Sequence, residues 1–193
     1  TQVFGFAGTG PVLQAGSQTI ALVQGAPAGH GVIDHLALSV PNVAQAAAAM
    51  VARGAVPDPA VTPNGPIRIA EFWQGGVEYL FLQGPEGARI ELICNLADPH
   101  PYGHDHIGIP CSDIAASVAF VTGLGARLLS SVQLVRDDGE TQVRFLDLQG
   151  SVLELYQPPH HRPAPPKGLW RQLRLTGLPA LVQGPDGLTF TPG

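Results

Sequence analysis

The stretch Gly31-Val32-Ile33-Asp34-His35-Leu36-Ala37-Leu38-Ser39-Val40 is written again about 70 residues later as His104-Asp105-His106-Ile107-Gly108-Ile109-Pro110-Cys111. Both copies alternate in the manner of a strand, so His35 and His106 each stand on the face opposite their aliphatic neighbours. Behind each copy comes a turn, Pro41-Asn42 or Ser112-Asp113, and then residues at helical spacing: Val43, Ala46, Ala47 and Met50 in the first, Ile114, Val118 and Val121 in the second. Gly54 stops the first helix and Gly123-Leu124-Gly125 the second. Three strands are expected after each helix: Ile67 to Trp73, Val77 to Leu82 and Arg89 to Cys94, then Leu128 to Val135, Thr141 to Asp147 and Ser151 to Gln157. Glycine-rich breaks of the hairpin kind separate them. The pattern is β-α-β-β-β in tandem. It predicts an α+β chain whose two modules form half-barrels of curved mixed sheet packed side by side.

The expected divisions are 1–30, an N-terminal extension with one strand at Gln18 to Val23 and a break at 25–29; 31–98, the first module; 99–157, the second; and 158–193, a C-terminal extension. That extension opens proline-rich and then shows no strong period, so it is expected to wrap the core or reach a neighbouring subunit. Two copies are too few for a solenoid.

The last strand of each module buries one carboxylate among aliphatics: Arg89-Ile90-Glu91-Leu92-Ile93 and Val152-Leu153-Glu154-Leu155-Tyr156. With Ile90 and Leu92 turned to a helix-covered face, Glu91 points to the opposite, concave side, and Glu154 repeats this between Leu153 and Leu155. An ionised carboxylate away from water is costly unless it is paired or bound to a cation. The residues that follow each histidine on its own face, Ala37 and Gly108, are small and leave room for a ligand. His35, Glu91, His106 and Glu154 therefore make a mixed nitrogen and oxygen set suited to one divalent ion: zinc, nickel, cobalt, manganese or iron(II).

Composition narrows the partners. Ten Lys+Arg against 15 Asp+Glu give a net charge of −5 with no basic cluster, so nucleic acid is not expected. No apolar run approaches the roughly 18–20 residues of a membrane helix, and a soluble body is expected. Cys94 and Cys111 stand outside any C-x-x-C pair and read as buried free thiols. The adjacent His160 and His161 in the proline-rich tail read as solvated side chains. No stretch of the sequence as given reads as a signal peptide, and the compartment stays open, with the cytoplasm as the default.

The tandem order, with His in each first strand and Glu in each fourth, resembles the vicinal oxygen chelate superfamily, which includes glyoxalase I, methylmalonyl-CoA epimerase, extradiol dioxygenases and bleomycin-sequestering proteins. The likeness spans residues 31–157, and Arg89 to Asn95 resembles the glyoxalase I strand that supplies a glutamate ligand. It implies one metal held by His35, Glu91, His106 and Glu154, a small oxygenated substrate, and a cup closed within a chain or across a homodimer; a homodimer is expected. Four ligands imply an isomerase or lyase of glyoxalase or epimerase type. In that mechanism a substrate enediolate forms on loss of a carbon-bound proton, and Glu154, or alternatively Glu91, is the catalytic base. The alternatives are an iron(II) extradiol-type dioxygenase, in which Glu91 does not bind metal, and a non-catalytic binding protein. Arg68, Trp73, Tyr79, Tyr102, Arg144 and Tyr156 are the residues that could meet substrate. The aromatic pair usual on the module helix is missing at 44–49, and no glutathione site can be aligned.

Overall fold

The computed structural model describes residues 6–7, 12–16, 18–23, 29–161, 164–165 and 168–193. The break expected at Gly25 to Ala28 lies outside them, as do Arg162, Pro163 and Pro166 of the proline-rich segment. The strands are β1 (Phe6–Ala7), β2 (Val12–Ala15), β3 (Gln18–Ala21), β4 (His35–Ser39), β5 (Val56–Pro57), β6 (Ile67–Ile69), β7 (Val77–Gln83), β8 (Arg89–Asn95), β9 (Gly103–Pro110), β10 (Arg127–Arg136), β11 (Gly139–Leu148), β12 (Ser151–Gln157), β13 (Leu173–Leu175), β14 (Val182–Gln183) and β15 (Thr189–Pro192). Among the described residues the α-helices are α1 (Val43–Val51), between β4 and β5, and α2 (Ile114–Gly123), between β9 and β10. The chain is therefore α+β: the second module follows the β-α-β-β-β order, and the first follows it with the two-residue β5 added between α1 and β6.

Two compact units form, one from residues 1–26 and 36–106, the other from 27–35 and 107–193. The chain passes between them at His35-Leu36 and at His106-Ile107, so β4 and β9 each run through the division.

In the first unit β4 pairs parallel with β8, Ala37 opposite Glu91, and β7 pairs antiparallel on the other side of β8, Phe81 opposite Glu91. Asn42 caps α1 by accepting from the Gln45 N–H, and the helix buries Val43, Ala46, Ala47 and Met50. It packs against β7 and β8. The strand expected at 67–73 ends at Ile69. Trp73, Gly75 and Gly76 all have positive φ, which turns the chain toward β7. A side chain at Gly76 would run into the Ile69 carbonyl. The N-terminal segment forms three strands, β1-β2-β3, where one was expected.

In the second unit the order β10-β11-β12-β9 matches that of the first, and Phe145 stands opposite Glu154 as Phe81 does opposite Glu91. Asp113 caps α2 through the Ala116 N–H. The core gathers Val32, Ile33, Ile109, Ile114, Val121, Leu146, Leu153 and Leu155 together with Leu175, Leu188 and Phe190 from the C-terminal segment.

That segment repeats part of the module. β13 pairs parallel with β15, and β14 pairs antiparallel with it, as β4, β8 and β7 do. The connecting turns share a sequence, Gln83-Gly84-Pro85-Glu86-Gly87 and Gln183-Gly184-Pro185-Asp186-Gly187. They also share a geometry: the Gly84 N–H donates to Ala88 O at 2.7 Å and the Gly184 N–H to Leu188 O at 2.8 Å, with φ of 59° at Glu86 and 55° at Asp186. In the matching register Thr191 takes the place of Glu91, and Gln172 that of His35. The third copy keeps the strands and loses the metal-type donors. Among the described residues no helix is long and apolar enough to cross a membrane.

Phe190 is 1% exposed and meets the Phe120 ring at a centroid distance of 6.0 Å. Phe190→Ala is expected to destabilise the fold by about 3–5 kcal/mol in urea unfolding, because the C-terminal sheet is core rather than appendage.

Candidate metal centre

Two imidazole–carboxylate pairs are built, one in each unit. In the first unit β8 presents Glu91 on the face shared with Ala37 and Phe81, and β9 brings His106 to it. His106 Nε2 lies 3.1 Å from Glu91 Oε2, and the two side chains are 2% and 7% exposed. In the second unit β12 presents Glu154 beside Phe145, and His35 Nε2 lies 3.5 Å from Glu154 Oε2. Gly108 makes room for that ring, since a methyl at position 108 would overlap it. The Tyr156 ring stands 6.3 Å away, centroid to centroid. All four expected residues are buried, and together they form a group that could hold one metal ion.

The other nitrogen of each imidazole is also committed to a carboxylate. His35 Nδ1 donates to Asp34 Oδ2 at 2.9 Å, and His106 Nδ1 donates to Asp105 Oδ1 at 2.7 Å. A ring whose proton sits on Nδ1 turns the lone pair of Nε2 toward the glutamate oxygen. Two electron-rich atoms face each other in this arrangement. It is favourable when the ring carries a second proton or when a cation lies between nitrogen and oxygen. Carboxylates on the outer nitrogen are also what orients metal-binding histidines and raises their basicity. The donor set thus fits a divalent ion. The sequence reading missed Asp34 and Asp105, although the signal was visible: the dipeptide Asp-His occurs at the same place in both copies.

The six residues considered for substrate contact divide. Tyr156 stands beside His35 of one pair, and Tyr79 lies on β7, edge-on to Phe81 at 5.8 Å. Arg68 is held by Glu78 at 3.0 Å, and its side chain is 70% exposed. Trp73 and Tyr102 are exposed. Arg144 donates to the Val132 and Val143 carbonyls and to Gln142. Both cysteines are free and buried, and burial pushes the Cys111 thiol up to about 11. His161 is partly buried rather than solvated, with its Nε2 enclosed. His104 was not singled out from the sequence; burial, helped by His106 and opposed by Asp105, lowers its pKa to about 4.

No family model matches the chain, and no curated protein matches it. Solved structures do. A point variant of glyoxalase I from Zea mays superposes with a TM-score of 0.61 at 19% identity, covering 82% of this chain and 66% of that one. A second Zea mays glyoxalase I variant gives 0.52 at 20% identity, over 67% of this chain and 45% of that one. Methylmalonyl-CoA epimerase from Mycobacterium tuberculosis gives 0.44 at 18% identity, over 71% and 94%. The chain spans about two thirds of the first maize protein and less than half of the second. The fold is the glyoxalase-like α+β fold of curved mixed sheet, as the repeat implied. The first maize match covers more of the chain than the two modules alone provide.

Gly108→Ala is expected to force the His35 ring off Nε2 alignment with Glu154 and to lower thermal stability, visible as a drop in Tm and as a rotated His35 in a crystal structure of the variant. A second expectation concerns pH. His104 titrates lower in the folded chain than the ordinary 6.5, so the unfolded chain binds the extra proton first. Its contribution to stability is full above about 6.5, falls as pH drops toward 4, and is absent below. Urea unfolding at pH 7, 5 and 4 should show this loss, on the order of 3 kcal/mol at most, and His104→Leu should flatten it.

Proposed function

We propose that this protein is a divalent-metal-dependent isomerase or lyase that moves a proton between carbons of a small oxygenated substrate. The observation that carries the reading is the convergence of four buried donors: one ligating atom from each of His35, Glu91, His106 and Glu154 lies within 4.8 Å of the others. A dry set of two neutral nitrogens and two carboxylates suits a first-row divalent ion. When bound, such an ion supplies Lewis-acid stabilisation of negative charge developing on a substrate oxygen.

The chain's own groups divide the remaining work. Asp34 and Asp105 hold the two imidazoles in one orientation and tautomer through Nδ1. Phe81 and Phe145, each opposite a glutamate, present apolar rings that keep water from the carboxylates. Glu154 is the base: a carboxylate oxygen takes the proton from the carbon next to the substrate's oxygen-bearing carbon, and the same oxygen returns it to the neighbouring carbon. The looser contact of Glu154 with its histidine, 3.5 Å against 3.1 Å for Glu91, supports this division, since the base has to leave its partner during the reaction. Glu91 stays as the fixed ligand.

The reading is tested by chelating and restoring metal, then following deuterium uptake from D2O into a panel of α-hydroxy carbonyl compounds by NMR. One ion per chain is expected. Exchange should be abolished by chelation and restored by at least one of zinc, nickel, cobalt, manganese or iron(II). Glu154→Gln should lower exchange by about 10²- to 10⁴-fold while metal is still bound. Oxygen consumption by the iron form, without exchange, would point instead to a dioxygenase. Ligand binding that persists without metal and in His106→Ala would point to a non-catalytic binding protein.

A further inference from the structure

A strand at the rim of a sheet shows a row of backbone N–H and C=O groups that pairs readily with another extended chain, and folded proteins guard such rims with short strands, proline or charge. In the first unit the guard is in place. β5 is two residues long and ends on Pro57, and β6 is three residues long with Arg68 at its middle, ion-paired to Glu78. β10 holds the place of β6 in the second unit, as a strand that follows the helix. It runs for ten residues, pairs on one side with β11 and stands at the end of the strand order. Among the described residues no strand pairs with its other side. From Ser130 to Val135 it carries neither charge nor proline, and its Leu128, Leu129 and Val135 are 50%, 37% and 71% exposed.

A second copy of this chain fits that rim. Two identical edges related by a two-fold axis perpendicular to the sheet run antiparallel and keep matching faces on the same side. After a bulge at Leu129 the register with β11 is unbroken from Ser130 to Arg136. An axis through the middle of that run puts Gln133 opposite the Gln133 of the second copy. Val132 and Leu134, both half-buried, then stand opposite each other twice on one face, and Ser131 and Val135 do so twice on the other. Cross-strand pairs of this kind are the unit of sheet stabilisation. The ends also match in charge. Arg127, whose side chain is 71% exposed, comes beside the exposed Asp137-Asp138 turn of the second copy, and the axis repeats this at the other end. The strand is thus its own complement at both ends, a match that an unrelated peptide would have to reproduce.

We propose that β10 is the contact surface for a second copy of this chain, the two edges joining antiparallel about Gln133 into one continuous sheet. The four buried metal-type donors lie on other strands, so the contact is independent of any metal. Sedimentation velocity on the full chain, with and without chelator, is expected to give twice the chain mass at about 100 µM. Gln133→Lys sets like charges against each other across the axis and is expected to raise the dimer Kd about fivefold, as is Gln133→Glu, while an equimolar mixture of the two variants recovers the affinity. Gln133 is exposed, and circular dichroism of each variant checks that the fold is kept. Oxidation of Gln133→Cys is expected to cross-link the dimer, whereas Ser131→Cys, opposite Val135 of the second copy, stays uncross-linked. The native Cys94 and Cys111 are buried and do not compete. A chain that remains monomeric at that concentration overturns the proposal. So does a dimer that neither charge at position 133 weakens, or one that Ser131→Cys cross-links and Gln133→Cys does not.

Discussion

Four carboxylates and two imidazoles taken out of water, entirely or in part, are the constraint around which this chain is arranged. Glu91 and Glu154 are buried, and each faces the Nε2 of a histidine whose Nδ1 is already held by an aspartate. Desolvating such groups is unfavourable unless positive charge is shared among them. A proton on each ring answers the need in the absence of metal, and a divalent ion answers it better, because one doubly charged centre faces several oxygens at once. The same electrostatic demand that makes the arrangement costly makes it selective for a cation.

Duplication explains how a chain of 193 residues meets that demand. One module supplies one His and one Glu on inward strand faces, with an aromatic side chain opposite the glutamate and a small residue two places after the histidine. Writing it twice doubles the donors without a new invention. The C-terminal sheet shows what the module needs for folding as opposed to chemistry. It keeps the parallel and antiparallel pairings and the Gly-Pro-Asp-Gly turn, buries Leu175, Leu188 and Phe190, and carries Gln172 and Thr191 where the donors would be. Packing keeps the strands in that copy, and the Asp186 carboxylate of its turn accepts from the Ser112 N–H at 2.8 Å rather than facing an imidazole.

Much of this was legible in the sequence because the relevant signals are short-range. Alternation around His35 and His106, helical spacing after Asn42 and Asp113, and isolated glutamates between aliphatics are each read within ten residues. The β-α-β-β-β order and the four donor positions follow from them. The misses have physical causes. The strand expected through Trp73 stops at Ile69 because three residues with positive φ reverse the chain, a backbone property that aliphatic content does not report. The C-terminal sheet escaped because strands of three, two and four residues are too short to show a period. Its signature was the repeated Gln-Gly-Pro-acidic-Gly turn, a hundred residues from its twin. Asp34 and Asp105 escaped because alternation places them on the face opposite their histidines. A carboxylate can still reach round to the Nδ1 of the next residue, and strand periodicity says nothing about that reach.

The two copies have diverged where function would require it. A perfectly repeated pair of modules would offer two equivalent glutamates and no way to decide which moves. Here Ile33 is matched by His104, Ile93 by Tyr156 and Ala37 by Gly108, so the surroundings of the two histidines differ although the ligand types do not. The His35–Glu154 pair is the wider one, with a tyrosine ring beside it and a glycine making room for the imidazole; the His106–Glu91 pair is closer and has an extra imidazole along its strand. In the proposed mechanism the wider half is the one that gives way and the closer half the one that holds. On that reading the asymmetry, more than the count of donors, is what distinguishes proton transfer from simple storage of an ion.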